Sequence, residues 1–236
     1  MFSCGVFIDL QKAFDTVDHS IFLQNLFHYG IRGIVNDWFS SYLTNRVQTT
    51  QKGLYVSEKQ KTLCGAPQGS VLGPLLFLIY VNDIHNASDK LNFHLFADDT
   101  NLLYADKNLR SLEAVMNAEL LKIVDWLTAN KLSLNVKKTN FIIFHPYQKR
   151  LNHDVNIKIY DNRINKYFNL ECKEYVKYLG VMIDSHLSWK QHINYVFLQK
   201  RAVRLINFAT FRSHAVSYFV QSNIMPITML YFKLSS

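Results

Sequence analysis

Two adjacent carboxylates, Asp98 and Asp99, stand between two short apolar runs, Asn92 to Ala97 and Thr100 to Ala105. Runs of this length and alternation read as strands, so the pair marks a junction between neighbouring strands. Taken alone, an Asp-Asp pair at such a junction reads as a solvated turn. Two details oppose that reading. A two-residue hairpin turn favours Gly or Asn because its residues need positive φ, and FADD supplies no glycine. Two like charges beside apolar residues are also costly unless a cation compensates them. Asp9 closes another apolar run, Gly5 to Asp9, and lies 89 residues before Asp98. It can join the pair only if its strand runs beside theirs, which an antiparallel sheet provides.

Three carboxylates gathered in this way offer hard oxygen ligands. These suit Mg²⁺, which keeps several waters and borrows phosphate oxygens, so two or three carboxylates suffice. Nucleotidyl transfer gives the cluster a purpose. Two divalent ions, about 3.5 to 4 Å apart, activate the attacking hydroxyl and stabilise the leaving oxygen.

The remaining pattern supplies the layers. Apolar residues recur at three and four from His19 to Tyr29 and from Ile31 to Leu43, predicting two helices with Gly30 between them. Val47 to Leu63 alternates around Gly53 as a hairpin does. In CGAPQGSVLGPLLFLIYVNDI, Gly and Pro crowd a loop that must approach something closely, before an apolar helix running to about Ile84. Leu109 to Asn130 has helical spacing, whereas Phe141 to Phe144, Ile157 to Tyr160 and Tyr175 to Ile183 read as strands. An amphipathic, basic helical region follows from Trp189 to Phe208, with a break at Met225-Pro226. Strands alternating irregularly with helices imply an α/β or α+β layer structure.

Composition excludes several classes. With 49% hydrophobic residues among 236, the chain buries a real core. Cys4, Cys64 and Cys172 are odd in number and far apart, which argues against a disulfide framework or structural zinc and favours a reducing compartment. The nine histidines are scattered and none is assigned chemistry. The N-terminus has no signal-peptide pattern, so an intracellular location, nuclear or cytoplasmic, is expected. Val71 to Val81 is about half the roughly 20 residues a membrane helix needs, so no membrane partner is expected. A net charge of +8 is compatible with a polyanion partner but does not demand one.

The ordered segments FIDLQKAFDTVDH, GAPQGSVLGPLLFLIYVND, FADDTNLL, WLTANKLSLNVKKTNFIIF and YVKYLGVMID resemble the reverse transcriptases of non-LTR retrotransposons, the jockey-type elements in particular. They extend from about residue 6 to 184. The resemblance implies an α+β polymerase palm over 1–184, a mainly antiparallel sheet packed on helices, followed by a partial, thumb-like helical region and tail over 185–236. It implies an RNA-directed DNA polymerase that extends a DNA primer on an RNA template from deoxynucleoside triphosphates. Two Mg²⁺ ions would serve it, with Mn²⁺ a possible substitute.

Matched position by position, Asp9, Asp98 and Asp99 are the metal-binding aspartates, and Leu10 offers a backbone carbonyl to the same ions. Asp15 and Asp18 match no ligand: the first makes local hydrogen bonds and the second caps the following helix. Phe14 is either a core aromatic or, as the resemblance implies, the ring that collides with a ribose 2′-hydroxyl. Gln68 and Gly69 lie at the nucleotide, and Pro67 and Ser70 at the template. Without the resemblance that loop is simply the start of a helix with Ser70 as its cap. Lys138 matches a lysine beside the leaving pyrophosphate, whereas its plain reading is a solvated cation. Tyr178, Leu179 and Gly180 match a tight hairpin that supports the primer end.

The pattern departs from the family in two places. Only eight residues precede Asp9, so the fingers region and the endonuclease domain are expected to be largely absent, and Ala66 stands where many relatives have Val. A fragment of a polymerase and a catalytically inactive remnant, acting as a nucleic-acid-binding or scaffold module, are the two functions this pattern leaves open.

Overall fold

The computed structural model describes residues 1–67, 69–210 and 213–222. In chain order the elements are β1 (Phe2–Ile8), α1 (His19–His28), α2 (Ile34–Leu43), β2 (Val47–Gln48), β3 (Gln51–Lys52), β4 (Tyr55–Val56) and β5 (Gln60–Lys61). There follow α3 (Leu72–Val81), β6 (Asn92–Phe96), β7 (Asp99–Asp106), α4 (Leu109–Ala129), β8 (Asn140–Phe144), β9 (Lys158–Asp161), β10 (Lys166–Asn169) and β11 (Glu171–Cys172). β12 (Tyr175–Tyr178), β13 (Val181–Asp184), α5 (Lys190–Ile206) and α6 (Ala215–Gln221) complete the set. The expected break at Met225-Pro226 lies outside the described residues. The chain divides into two compact units, one of residues 1–141 with 151–172 and one of 142–150 with 173–236.

The first unit holds β1, β6, β7, β11 and the first two residues of β8, whose sheet has the order β11-β8-β1-β7-β6. β1 and β7 pair antiparallel from Phe2↔Asp106 to Ile8↔Thr100, and β6 pairs antiparallel with β7. β11 is parallel to β8. Phe2, Cys4, Val6 and Ile8 alternate into the core, the period a strand demands. α4 packs on β1, β7 and β9 through Leu112, Met116, Leu120 and Ile123, all fully buried. Its start is set by Asn108, whose side chain accepts from the Arg110 and Ser111 amides and so satisfies two otherwise unpaired donors. All three cysteines are free, Cys4 buried and the others exposed. Among the described residues no helix is long and apolar enough to cross a membrane.

Some details depart from what periodicity alone gives. The apolar residues of α2 lie on more than one face. Phe39 meets Phe22 edge to face and Leu43 is buried, whereas Ile34, Val35 and Trp38 are exposed. The apolar helix before Ile84 ends earlier, as α3 gives way to a 3₁₀ segment over Asn82–Ala87. The strand pattern over Tyr175 to Ile183 is two strands, folded into the tight hairpin that the resemblance implies at Leu179 and Gly180, which both take positive φ, 47° and 82°. That hairpin lies in the second unit, where α5 packs on β13 and α6, with Val203, Ala215 and Phe219 in the seam.

Candidate active site

Asp9 is held where β1 ends. Extending the β1–β7 register one residue beyond Ile8↔Thr100 sets Asp9 opposite Asp99. Cross-strand partners share a face of the sheet, so the two carboxylates emerge on the same side. The Asp9 backbone is fixed at both ends by one segment: its amide donates to Thr139 Oγ1 at 3.2 Å, and its carbonyl accepts from the Asn135 amide at 2.8 Å. Leu10 forms a bridge with Leu134. The bonds of that bridge use the Asp9 carbonyl and the Gln11 amide, so the Leu10 carbonyl takes no part in either.

The hairpin carrying the other two acids is shifted by one residue from expectation. Phe96 pairs with Asp99, so the turn is Ala97-Asp98 and Asp99 already belongs to β7. Ala97 takes the positive φ, 52°, that the two-residue turn requires; a small side chain meets the need at a cost of about 1–2 kcal/mol. Asp98 thus stands at the turn and Asp99 at the strand end. Burial, then the charges of Asp98 and Asp9, push the Asp99 carboxyl above its ordinary value. That repulsion places Asp98 and Asp9 each within electrostatic reach of Asp99. Among the described residues no three His, Cys, Asp or Glu side chains converge as a ready-made metal cage. Asp9, Asp98 and Asp99 are hard oxygen donors, the kind that a hard cation sharing water and phosphate accepts in small number.

Around the acids, Phe14 is half-buried, its ring 4.7 Å from that of Phe77 and tilted 42°. Both of its readings meet here, since one side packs on the core while the rest stays accessible. The Gly65–Ser70 loop is laid along the same segment. The Ala66 amide donates to the Phe14 carbonyl at 2.8 Å, and the Gly65 amide to Val17 at 2.7 Å. A Cβ on Gly65 would lie 2.9 Å from the Asp15 carbonyl oxygen. The close approach expected of this loop is, at Gly65, an approach to the chain's own backbone. Gly69 differs, with φ +76° and nothing within 4 Å of a Cβ. Ser70 accepts from the Gly73 amide at 2.9 Å and donates to the Pro67 carbonyl at 2.7 Å, so it does close the first turn of α3. Gln68 lies outside the described residues.

Asp18 caps α1 as expected, accepting from the Ser20 and Ile21 amides. It also meets Lys131 at 2.6 Å. Burial opposes its ionisation, but hydrogen bonds from Lys131, Ser20 and Ile21 prevail and hold the carboxyl well below the usual range. The Asp18 amide donates to the Tyr80 hydroxyl, which in turn donates to the Asn130 carbonyl at 2.7 Å. Burial pushes that phenol up to about 12, so it stays a neutral donor. Lys138 is exposed, in the segment that clamps Asp9. Tyr178, Leu179 and Gly180 form the turn of the β12–β13 hairpin in the other unit.

Sequence reasoning missed Thr139, Asn135 and Asn101. Thr139 is 2% exposed, and its bond to Asp9 spans 130 residues. Asn101 shares the Asp99 face by strand alternation, and its Oδ1 is buried without a partner among the described residues.

The family of reverse transcriptases, RNA-dependent DNA polymerases, matches residues 3–183. The chain belongs to this family. Its curated relatives include a probable RNA-directed DNA polymerase from transposon X-element of Drosophila melanogaster, 25% identical over 202 residues and covering 84% of this chain. The RNA-directed DNA polymerase from mobile element jockey of the same organism is 25% identical, covering 81%. That from transposon BS is 28% identical, covering 80%. In each case the chain spans 21% of the relative's length. The resemblance to non-LTR retrotransposon reverse transcriptases thus holds over most of the chain. Among solved structures, telomerase from Candida tropicalis in complex with a fragment of telomeric RNA aligns with a TM-score of 0.51 at 11% identity, covering 99% of this chain and 38% of that one. The likeness is one of fold, mixed α/β and reverse-transcriptase-like.

Proposed function

We propose that the chain carries the catalytic palm of an RNA-directed DNA polymerase, extending a DNA primer on an RNA template. The observation that carries this reading is the register: one step past Ile8↔Thr100, Asp9 faces Asp99, with Asp98 in the adjoining turn. Asp9, Asp98, Asp99 and the Leu10 carbonyl would hold two Mg²⁺ ions, or Mn²⁺ in their place. Bound there, the ions supply the charge that activates the primer hydroxyl and stabilises the leaving pyrophosphate oxygen.

The chain's own residues do the positioning. Thr139 and Asn135 fix the Asp9 backbone, so its carboxylate is aimed before substrate arrives. Lys138 would neutralise or protonate the departing pyrophosphate. Phe14, backed by Phe77, would stand under the incoming sugar and exclude a 2′-hydroxyl by contact. Pro67 and Ser70 would border the template, and Gln68 and Gly69 the nascent pair, where the open Gly69 backbone admits close approach. Tyr178, Leu179 and Gly180 would support the primer end. In this reading residues 1–184 form the palm and 185–236 the start of a thumb, working inside the cell in nucleus or cytoplasm.

The test is extension of a labelled DNA primer on an RNA template by the whole chain, with and without Mg²⁺. The proposal expects extension that needs Mg²⁺ and accepts deoxynucleotides. Template binding without extension would identify a catalytically silent remnant instead.

A further inference from the structure

α2 carries two apolar stripes, and only one of them is used. The inner stripe, Asn36, Phe39 and Leu43, faces α1. Asn36 donates to the Leu23 and Ile31 carbonyls at 3.1 and 3.2 Å, Phe39 meets Phe22 and Leu43 is buried. The outer stripe runs Ile34, Val35, Trp38 and Tyr42, with Trp38 51% and Val35 53% exposed. Trp38 and Tyr42 stack at 5.5 Å with an interplanar angle of 12°, which makes a flat aromatic platform one helical turn long. A surface helix ordinarily turns such a stripe to the core.

A cation borders this pair: Arg46 lies over the Tyr42 ring at 5.5 Å. Arg32 sits instead over Phe27 of α1, at 4.3 Å. Directly after Arg46 the chain enters a hairpin in which Val47 pairs with Lys61 and Lys52 with Tyr55. The Thr62 amide donates to the Arg46 carbonyl at 2.9 Å, so Arg46 and Lys61 share the hairpin's base. Residues 29–63 hold five cations, Arg32, Arg46, Lys52, Lys59 and Lys61, against Asp37 and Glu58. None of the five takes part in an ion pair among the described residues.

An exposed aromatic ring, Trp38, beside cations that form no ion pair matches the chemistry of an unpaired nucleic-acid strand. Every base has a π-face to stack, and every linkage a negative charge to neutralise. We propose that the outer face of α2 and the hairpin Val47–Lys61 form a binding site for single-stranded nucleic acid, bases stacking on Trp38, which Tyr42 backs, and phosphates meeting Arg46 and Lys61. A duplex offers no free base face and would bind there through its phosphates alone. The site needs neither metal nor nucleotide, so it stands or falls apart from the carboxylate centre.

Fluorescence anisotropy tests it with labelled single-stranded RNA, DNA of the same sequence and the DNA duplex, each of about 15 nucleotides, in buffer without divalent cations. The double variant Trp38→Ala/Tyr42→Ala is expected to weaken single-strand binding by about tenfold or more, with duplex binding little changed. Trp38→Phe keeps a ring and is expected to bind within a few-fold of the parent. Arg46→Gln/Lys61→Gln is expected to lower the slope of log affinity against log salt by about 1.4, at ~0.7 per contact. The RNA and DNA arms assign the strand. Aromatic variants that bind as the parent does, or a parent that prefers duplex, would overturn the proposal. So would a Trp38→Ala/Tyr42→Ala variant whose only change is lost self-association, which would make a second copy the occupant.

Discussion

Asp9 depends on a neighbour that spacing does not announce. Thr139 holds its amide at 3.2 Å, and the Asn135 amide donates to its carbonyl. Thr139→Val removes the hydroxyl at nearly constant volume, so extension should slow by about tenfold, the scale of one displaced positioning contact. Thr139→Ser should restore the rate, with circular dichroism unchanged throughout. A second residue-level expectation concerns Asp18. Its carboxyl titrates below the ordinary range, so the charge stabilises the fold above about pH 4 and that contribution is lost as pH falls through the depressed value. Asp18→Asn keeps a good cap and deletes the charge. It should lower stability at pH 7 by about 1 kcal/mol or less, a gap that narrows as pH falls below about 4 and closes only through the depressed value in urea titrations. The three acids of the candidate site were legible because two adjacent carboxylates amid apolar residues demand an explanation. Thr139 was not, since a buried hydroxyl bonded across 130 residues leaves no local signature.

Among the elements, the helices announced themselves by period and cap, and α1, α3 and α4 lie close to where the pattern places them. β10 and β11 escaped notice because four- and two-residue strands are specified by their partners rather than their own alternation. In α2 the period gave the helix but not which of its apolar residues are buried, since exposed and buried apolar residues carry the same signal. The hairpin at Asp98 and Asp99 slipped by one residue because Ala97, not an aspartate, takes the positive φ. The loop before α3 was expected to come close to something, and the partner is the Asp15 backbone. Gly65→Ala combines a φ of +91° with a 2.9 Å approach to a carbonyl oxygen. It should cost about 2 kcal/mol or more in urea unfolding and displace the Ala66–Phe14 contact. Discrimination between deoxy- and ribonucleotides should fall with it. Phe14→Val should relax the same discrimination while leaving stability within about 2 kcal/mol, since the ring is only half in the core; unchanged discrimination would remove Phe14 from the sugar site.

At the scale of the whole chain, a few ordered segments sufficed to place it in the reverse transcriptase family. The match over residues 3–183 covers the span they mark, about 6 to 184. The fold is shared with telomerase at 11% identity, an instance of architecture outlasting sequence. The division of the chain into two compact units was not written in any local pattern, because contacts distant in sequence decide where a chain divides. The central claim is that Asp9, Asp98 and Asp99 act as one centre. The most direct measurement is the single-turnover, Mg²⁺-dependent rate of primer extension on RNA for the parent, Asp9→Asn, Asp98→Asn, Asp99→Asn and the triple variant. Residues that work as a unit lose activity together rather than additively. Each single variant should therefore slow extension by about a thousandfold or more, with the triple scarcely worse. Single variants that extend at the parent rate, or losses that multiply from one to three substitutions, would contradict it.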